Sequence, residues 1–132
     1  MAKEVLVGQT LTNEMIEAGK STVLYLDQKR IIIASALWFY IAKSMQWRLV
    51  IGTPEVRIEG PRKVYKHIQK ALAGMPDPKL QLRHIAVVNS DDPLISLLKA
   101  AIRTGPGISG IRFTNNVING VPIEDAYIYR LS

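Results

Sequence analysis

Between Thr12 and Gln28 the positions Met15, Ile16, Gly19, Val23 and Leu26 recur at the three-to-four-residue spacing that lays one face of a helix on a core. Thr12 supplies a cap, Glu14 suits the positive end of the helix dipole, and Leu11 is placed to staple onto Ile16. Gly19 on that stripe predicts the close approach of a neighbouring element, at about 1 kcal/mol of helix propensity relative to alanine. The pattern then changes. Ile31–Ile41 is apolar on both faces and dominated by β-branched and aromatic residues, which predicts a strand covered on both sides; periodicity alone leaves a buried helix open. The polar stretch Lys43–Gln46 turns the chain, Trp47–Ile51 resumes the strand pattern, and Thr53-Pro54 ends this hairpin.

Gly60-Pro61 opens the clearest helix, with proline in the first turn, where its missing N–H does no harm. Val64, Ile68, Ala71, Leu72 and Met75 form its apolar stripe, and Gly74 and Pro76 stop it. Spacing residues by about 100° puts Arg62, Lys63, Lys66, His67 and Lys70 together on the opposite side. Leu82–Val88 reads as a strand. Asp92-Pro93 is a cap followed by a first-turn proline, and it starts a helix whose stripe is Leu94, Leu97, Leu98, Ala101 and Ile102. Gly105-Pro106 ends that helix.

Ile111–Ile118 and the segment from Val121 onward flank Asn119-Gly120, a strong hairpin signal because both turn residues must take φ > 0. A two-residue turn sets Val117 opposite Pro122, and the proline suits an edge strand. Strict alternation would place Tyr127, Tyr129 and Leu131 on one face. The predicted order is α-β-β-α-β-α-β-β. This is an α/β (α+β) chain, a single compact domain over residues 1–132 with helices packed on a mixed sheet.

Composition narrows the chemistry. With 132 residues and 48% hydrophobic side chains, the chain can build a core and falls outside the disordered class. Zero cysteine excludes disulfide scaffolds, thiolate zinc sites, iron–sulfur ligation and a cysteine nucleophile. The longest apolar run, 31–42, falls short of the roughly 20 residues a membrane helix needs. The opening Met1–Gly8 is too soon broken to resemble a secretory leader, so the expectation is a cytoplasmic protein without a membrane partner.

The formal charge of +6 is uneven. Residues 61–90 carry Arg62, Lys63, Lys66, Lys70, Lys79 and Arg83 against Asp77 alone, while the segments on either side are nearly balanced. Localised charge forms a patch that an anionic partner can use.

Several motifs are weaker than they look. Gly105-Pro106-Gly107-Ile108-Ser109-Gly110 matches the dinucleotide fingerprint in letters, but it follows a helix and precedes a strand, so no helix N-terminus faces a pyrophosphate. It reads as a cap and connector, with an anion nest flanked by Arg103 and Arg112 as the alternative. Ile111 and Arg112 stand where a P-loop needs lysine and Ser/Thr. His67 and His84 lack metal-ligand spacing, and no metal or cofactor is expected. Ser35, Ser96 and Ser109 have no nucleophile-elbow context. Trp38, Phe39, Tyr40 and Trp47 read as packing residues.

Three functions remain. The favoured one is binding of nucleic acid or another polyanion through Arg62, Lys63, Lys66 and Lys70, joined by Arg83 and Arg103 if they fall on the same side. A second is a protein-interaction or homo-oligomer module using the hairpin edges, Tyr127 and Tyr129. The third is a metal-dependent phosphodiester hydrolase using Asp91, Glu124 and Asp125, although Glu55-Val56-Arg57 offers an arginine where a proton-accepting lysine would serve.

Overall fold

The computed structural model describes residues 7–132; residues 1–6, most of the stretch read above for a leader, lie outside the described residues. Five strands form one mixed sheet in the order β3-β2-β1-β5-β4. They are β1 (Ser35–Ile41), β2 (Gln46–Thr53), β3 (Ile85–Asn89), β4 (Ile111–Ile118) and β5 (Val121–Leu131). β2 and β3 run parallel and every other neighbouring pair is antiparallel. Helices α1 (Asn13–Gln28), α2 (Glu55–Glu59), α3 (Pro61–Ala73) and α4 (Pro93–Ala101) complete the α+β fold.

Alternation along the strands sorts the core into two layers. Ala36, Trp38, Leu49, Ile51 and Val87 face α1 and α3, meeting Met15, Val23, Leu26, Val64 and Ile68. Leu37, Val50, Ala126 and Ile128 face the other way, against Ile95 and Leu98 of α4. The seam of α4 is therefore centred on Ile95 and Leu98, whereas Ala101, expected in the stripe, is exposed. Short helices tolerate that error because one turn holds only about four residues, and two anchors fix the contact.

The capping signals hold. The Thr12 hydroxyl accepts from the Met15 N–H at 3.2 Å, and the Asp92 carboxylate accepts from the Leu94 N–H at 3.1 Å. Asn119 (φ 49°) and Gly120 (φ 78°) form the turn that sets Val117 opposite Pro122. β5 is an interior strand rather than an edge. Its pairing with β1 starts only at Ala126, so Pro122 sits in the overhang of the hairpin, where no second neighbour needs its N–H.

Other expectations fail for physical reasons. Residues 31–34 are not strand: Ile31 and Ile33 are buried, but Ile32 is 60% exposed, and β1 begins at Ser35. α2 was hidden between Thr53 and Gly60 because it has five residues and no side-chain cap. Leu82–His84 is a 3-10 turn, and only Ile85 starts the strand. A bulge between β1 and β5 also separates Leu131 from Tyr127 and Tyr129. Ala36 pairs with Arg130 but Leu37 with Ile128, which leaves Tyr129 as the extra residue. Both tyrosines then pack towards α1, and Leu131 joins the α4 layer.

Two polar side chains on the α1 side of the sheet reach the α1 backbone. The Tyr129 hydroxyl donates to the Ile16 carbonyl at 2.6 Å, and the Trp38 indole N–H donates to the Met15 carbonyl at 3.0 Å. A Cβ at Gly19 would collide with both polar tips, so the glycine admits them. Arg130, 5% exposed, reaches Asp27 with Nη1 at 3.0 Å and Nη2 at 2.8 Å, and also donates to the Ile33 and Gly107 carbonyls. Burial raises the Tyr129 phenol pKa far above its ordinary range, outweighing the hydrogen bond with Trp38 that lowers it.

Candidate functional site

α3 is positioned by its ends and one face. Gly60 at φ 88° turns the chain out of α2, and Pro61 starts the helix. Val64, Ile68 and Leu72 are buried against the sheet. The Tyr65 hydroxyl accepts from the Val87 N–H at 2.8 Å, fixing the helix to edge strand β3. This seating leaves Arg62, Lys63, Lys66 and Lys70 exposed along the outer face. Among the described residues none of the four makes an ion pair, and α3 itself contains no acidic residue. The nearest acids in sequence are Glu59 on α2 and Asp77 beyond the end of α3; a carboxylate oxygen of Glu55, also on α2, lies 3.7 Å from His67 Nδ1.

The tertiary structure adds to this face. A groove of about 320 Å³ is lined by His67, Lys70, Ala71 and Gly74 from α3 and its end, and by Tyr25 and Lys29 from the end of α1. Lys29 Nζ lies 5.3 Å from the centroid of the Tyr25 ring, within cation–π range. Neither Tyr25 nor Lys29 could be assigned to this face from the sequence. Each belongs to a helix some 40 residues away from Lys70, and only packing brings the two helices together.

Arg83 and Arg103 lie elsewhere. Arg83 belongs to the 3-10 turn before β3; its carbonyl accepts from Arg48 Nη1 at 2.9 Å, and its Nε donates to Gln81 Oε1 at 2.5 Å. It lines a separate cavity together with Arg48. Arg103 is exposed just beyond α4, the helix on the opposite layer from α3.

The carboxylates do not converge. Asp91 lies beyond the C-terminal end of β3, paired with Arg57 and receiving the Asn89 amide. Thr53, Asn89 and Leu131 mark that end of the sheet through their pairings, and Asp125 lies six residues back along β5, about 20 Å at strand spacing. Asp125 is held by Arg112 through two contacts of 2.6 Å, and this hydrogen bonding raises the Arg112 pKa against the lowering effect of burial. Glu124 is exposed beside it. Among the described residues no group of three His, Cys, Asp or Glu side chains could hold a metal ion. The expected shared use of Asp91, Glu124 and Asp125 is therefore not assembled.

The glycine-rich segment is a connector. It joins α4 to β4, and it is tied to β5 by the Ser109 N–H donating to the Tyr129 carbonyl at 2.6 Å. Gly110 packs against the Tyr127 hydroxyl. Among the described residues no helix is long and apolar enough to cross a membrane. Comparison with known protein families, curated proteins and solved structures finds no match to this chain.

Proposed function

We propose that this protein binds nucleic acid or a similar polyanion along the outer face of α3. The observation that carries the reading is the row Arg62, Lys63, Lys66 and Lys70, exposed, without ion pairs among the described residues, and continued by Lys29 across a groove. Unpaired cations on a rigid helix neutralise phosphates and release condensed counterions, so affinity falls steeply with salt. Lysines contact the backbone of the ligand as point charges, which gives register with little base readout. The test is binding of labelled single- and double-stranded oligonucleotides over a salt series. The triple variant Arg62→Glu, Lys66→Glu, Lys70→Glu is expected to abolish binding while the protein stays folded. Absence of wild-type binding at low salt contradicts the proposal.

A second reading rests on β4. It is an edge strand with an open ladder of backbone groups, and Val117 (69% exposed) and Val121 (44%) stand uncovered at its hairpin tip. A second copy pairing along β4 would cover them. Concentration-dependent mass by light scattering, lost in Val117→Lys, supports this reading; a monomer at all concentrations removes it.

A further inference from the structure

The groove of about 320 Å³ at the Lys70 end of α3 differs in chemistry from the cation row beside it. Ala71 and Gly74 are small, which leaves room there for a ligand group. The larger lining groups are two rings, Tyr25 and His67, and two ammonium-bearing chains, Lys29 and Lys70. The partly buried Tyr25 side chain reaches from α1 to the end of α3: a Cβ added at Gly74 would stand 3.4 Å from its hydroxyl oxygen. Lys29 Nζ covers the ring, 5.3 Å from its centroid.

Both helices end at this groove. Tyr25 lies in the last turn of α1, which stops at Gln28, and Lys70 and Ala71 lie in the last turn of α3, which stops at Ala73. The C-terminal end of a helix carries the negative pole of its dipole, which disfavours an anion and suits a neutral group bearing N–H donors. The phosphates of a polyanion are therefore better placed along Arg62, Lys63 and Lys66, farther back on α3, than inside the groove. Arg62 and Lys70 are about 12 Å apart along the helix axis at 1.5 Å per residue. A strand lying on the row thus reaches the groove with the groups that its phosphates carry beside them. In nucleic acid those groups are flat rings, for which an aromatic side chain is the sequence-tolerant partner.

We infer that the polyanion bound by α3 is a single strand of nucleic acid, one base of which enters this groove and stacks on Tyr25; the inference rests on the α3 reading. A phosphate is a stronger partner for an ammonium than a neutral ring is. The strand therefore draws Lys29 from the Tyr25 ring to an adjacent phosphate, and the base takes its place on the ring. Lys70 holds the phosphate on the side of the row. The volume is at the lower limit of a small-molecule pocket, which suits one base and not a base pair. A base in a duplex is paired and stacked, and it would have to be flipped out to enter, so a duplex keeps only the phosphate contacts of the row. Stacking uses a face that every base presents, so the groove selects strandedness and not sequence.

The experiment is fluorescence anisotropy of the full chain, at one low salt concentration, with three labelled probes of equal length: a single strand, the same strand without bases, and the duplex. The wild type is expected to bind the single strand about ten-fold more tightly than the abasic strand, the scale of one base stacked on an aromatic ring. Tyr25→Leu removes the ring. Gly74→Leu fills the groove and leaves the ring in place, and the αR backbone at Gly74 accepts the substitution. Each variant should bring the single strand down to the affinity of the abasic strand, with abasic and duplex binding unchanged. Melting curves show which variants are folded, and either one alone decides the question. Equal wild-type affinity for the base-bearing and abasic strands overturns the inference and leaves the α3 reading standing, as does a folded variant that keeps the full advantage. A loss shared equally by all three probes overturns it too, because it makes the groove part of the general phosphate surface. Binding of none of the probes overturns the α3 reading, and this inference with it.

Discussion

Arg130 of β5 and the cations of α3 are used in opposite ways. Arg130 is almost fully buried and spends its guanidinium on Asp27 and two backbone carbonyls, joining α1 to β5. Arg62, Lys63, Lys66 and Lys70 are exposed and have no carboxylate partner among the described residues. Asp27 and Lys29 show the division within one helix turn: Asp27 pairs with Arg130, and Lys29 lines the groove beside Lys70. A net charge of +6 therefore conceals two populations, cations that hold the fold and cations left for a ligand. Substitutions in the first should act on stability, and in the second on binding.

The largest expected effect that could break this division is on affinity. Reversing Arg62, Lys66 and Lys70 to glutamate should abolish oligonucleotide binding with no loss of thermal stability, because among the described residues these exposed side chains make no ion pair within the fold. A large drop in melting temperature would show that the α3 cations support the fold after all. Next is Arg130→Met, which leaves the Asp27 carboxylate without its partner. Breaking a buried pair costs about 3–5 kcal/mol, and the lower end applies because Asp27 remains about one-third exposed. Urea denaturation should register that loss, while oligonucleotide affinity of the folded variant stays unchanged.

A smaller effect is expected at Gly19, where the Tyr129 and Trp38 tips reach the α1 backbone. Overpacking of about 1–3 kcal/mol opposes a gain in helix propensity of about 1 kcal/mol, so Gly19→Ala should destabilise by on the order of 1 kcal/mol. An unchanged denaturation midpoint would show that the two tips yield easily. The same contact gives a pH signature. Tyrosine in the unfolded chain ionises near pH 10, roughly its ordinary value, whereas Tyr129 in the fold is raised well above that. The stability it contributes is thus fully present below about pH 10 and is lost as pH rises from there towards the folded value. Denaturation midpoints measured from pH 8 to 11 should fall more steeply for the wild type than for Tyr129→Phe.

How much of this was legible in the sequence depended on range. Thr12, Asp92-Pro93, Asn119-Gly120 and the stripe of α3 act within a few residues, and each formed as its local chemistry predicts. The bulge at Tyr129 has no local signal: it is defined by which β1 residue faces which β5 residue, and it turned Leu131 to the opposite layer. Residues 31–34 carry a strand-like pattern because buried Ile31 and Ile33 look the same in a loop packed on a core as in a strand. For the candidate site, the α3 row was readable from helical periodicity. Lys29 and Tyr25 were not, nor was the separation of Arg83 and Arg103 from α3, because those relations are set by helix packing and sheet order.

The most direct test of the α3 assignment is the salt dependence of duplex binding, compared between the wild type and the neutralised variant Arg62→Gln, Lys66→Gln, Lys70→Gln. Each phosphate contact contributes a slope of about −0.9 in log K against log salt. If all three side chains neutralise phosphates, the variant's slope should be shallower by about 2 to 3. Equal slopes for the two proteins would contradict the account and move the binding surface off α3.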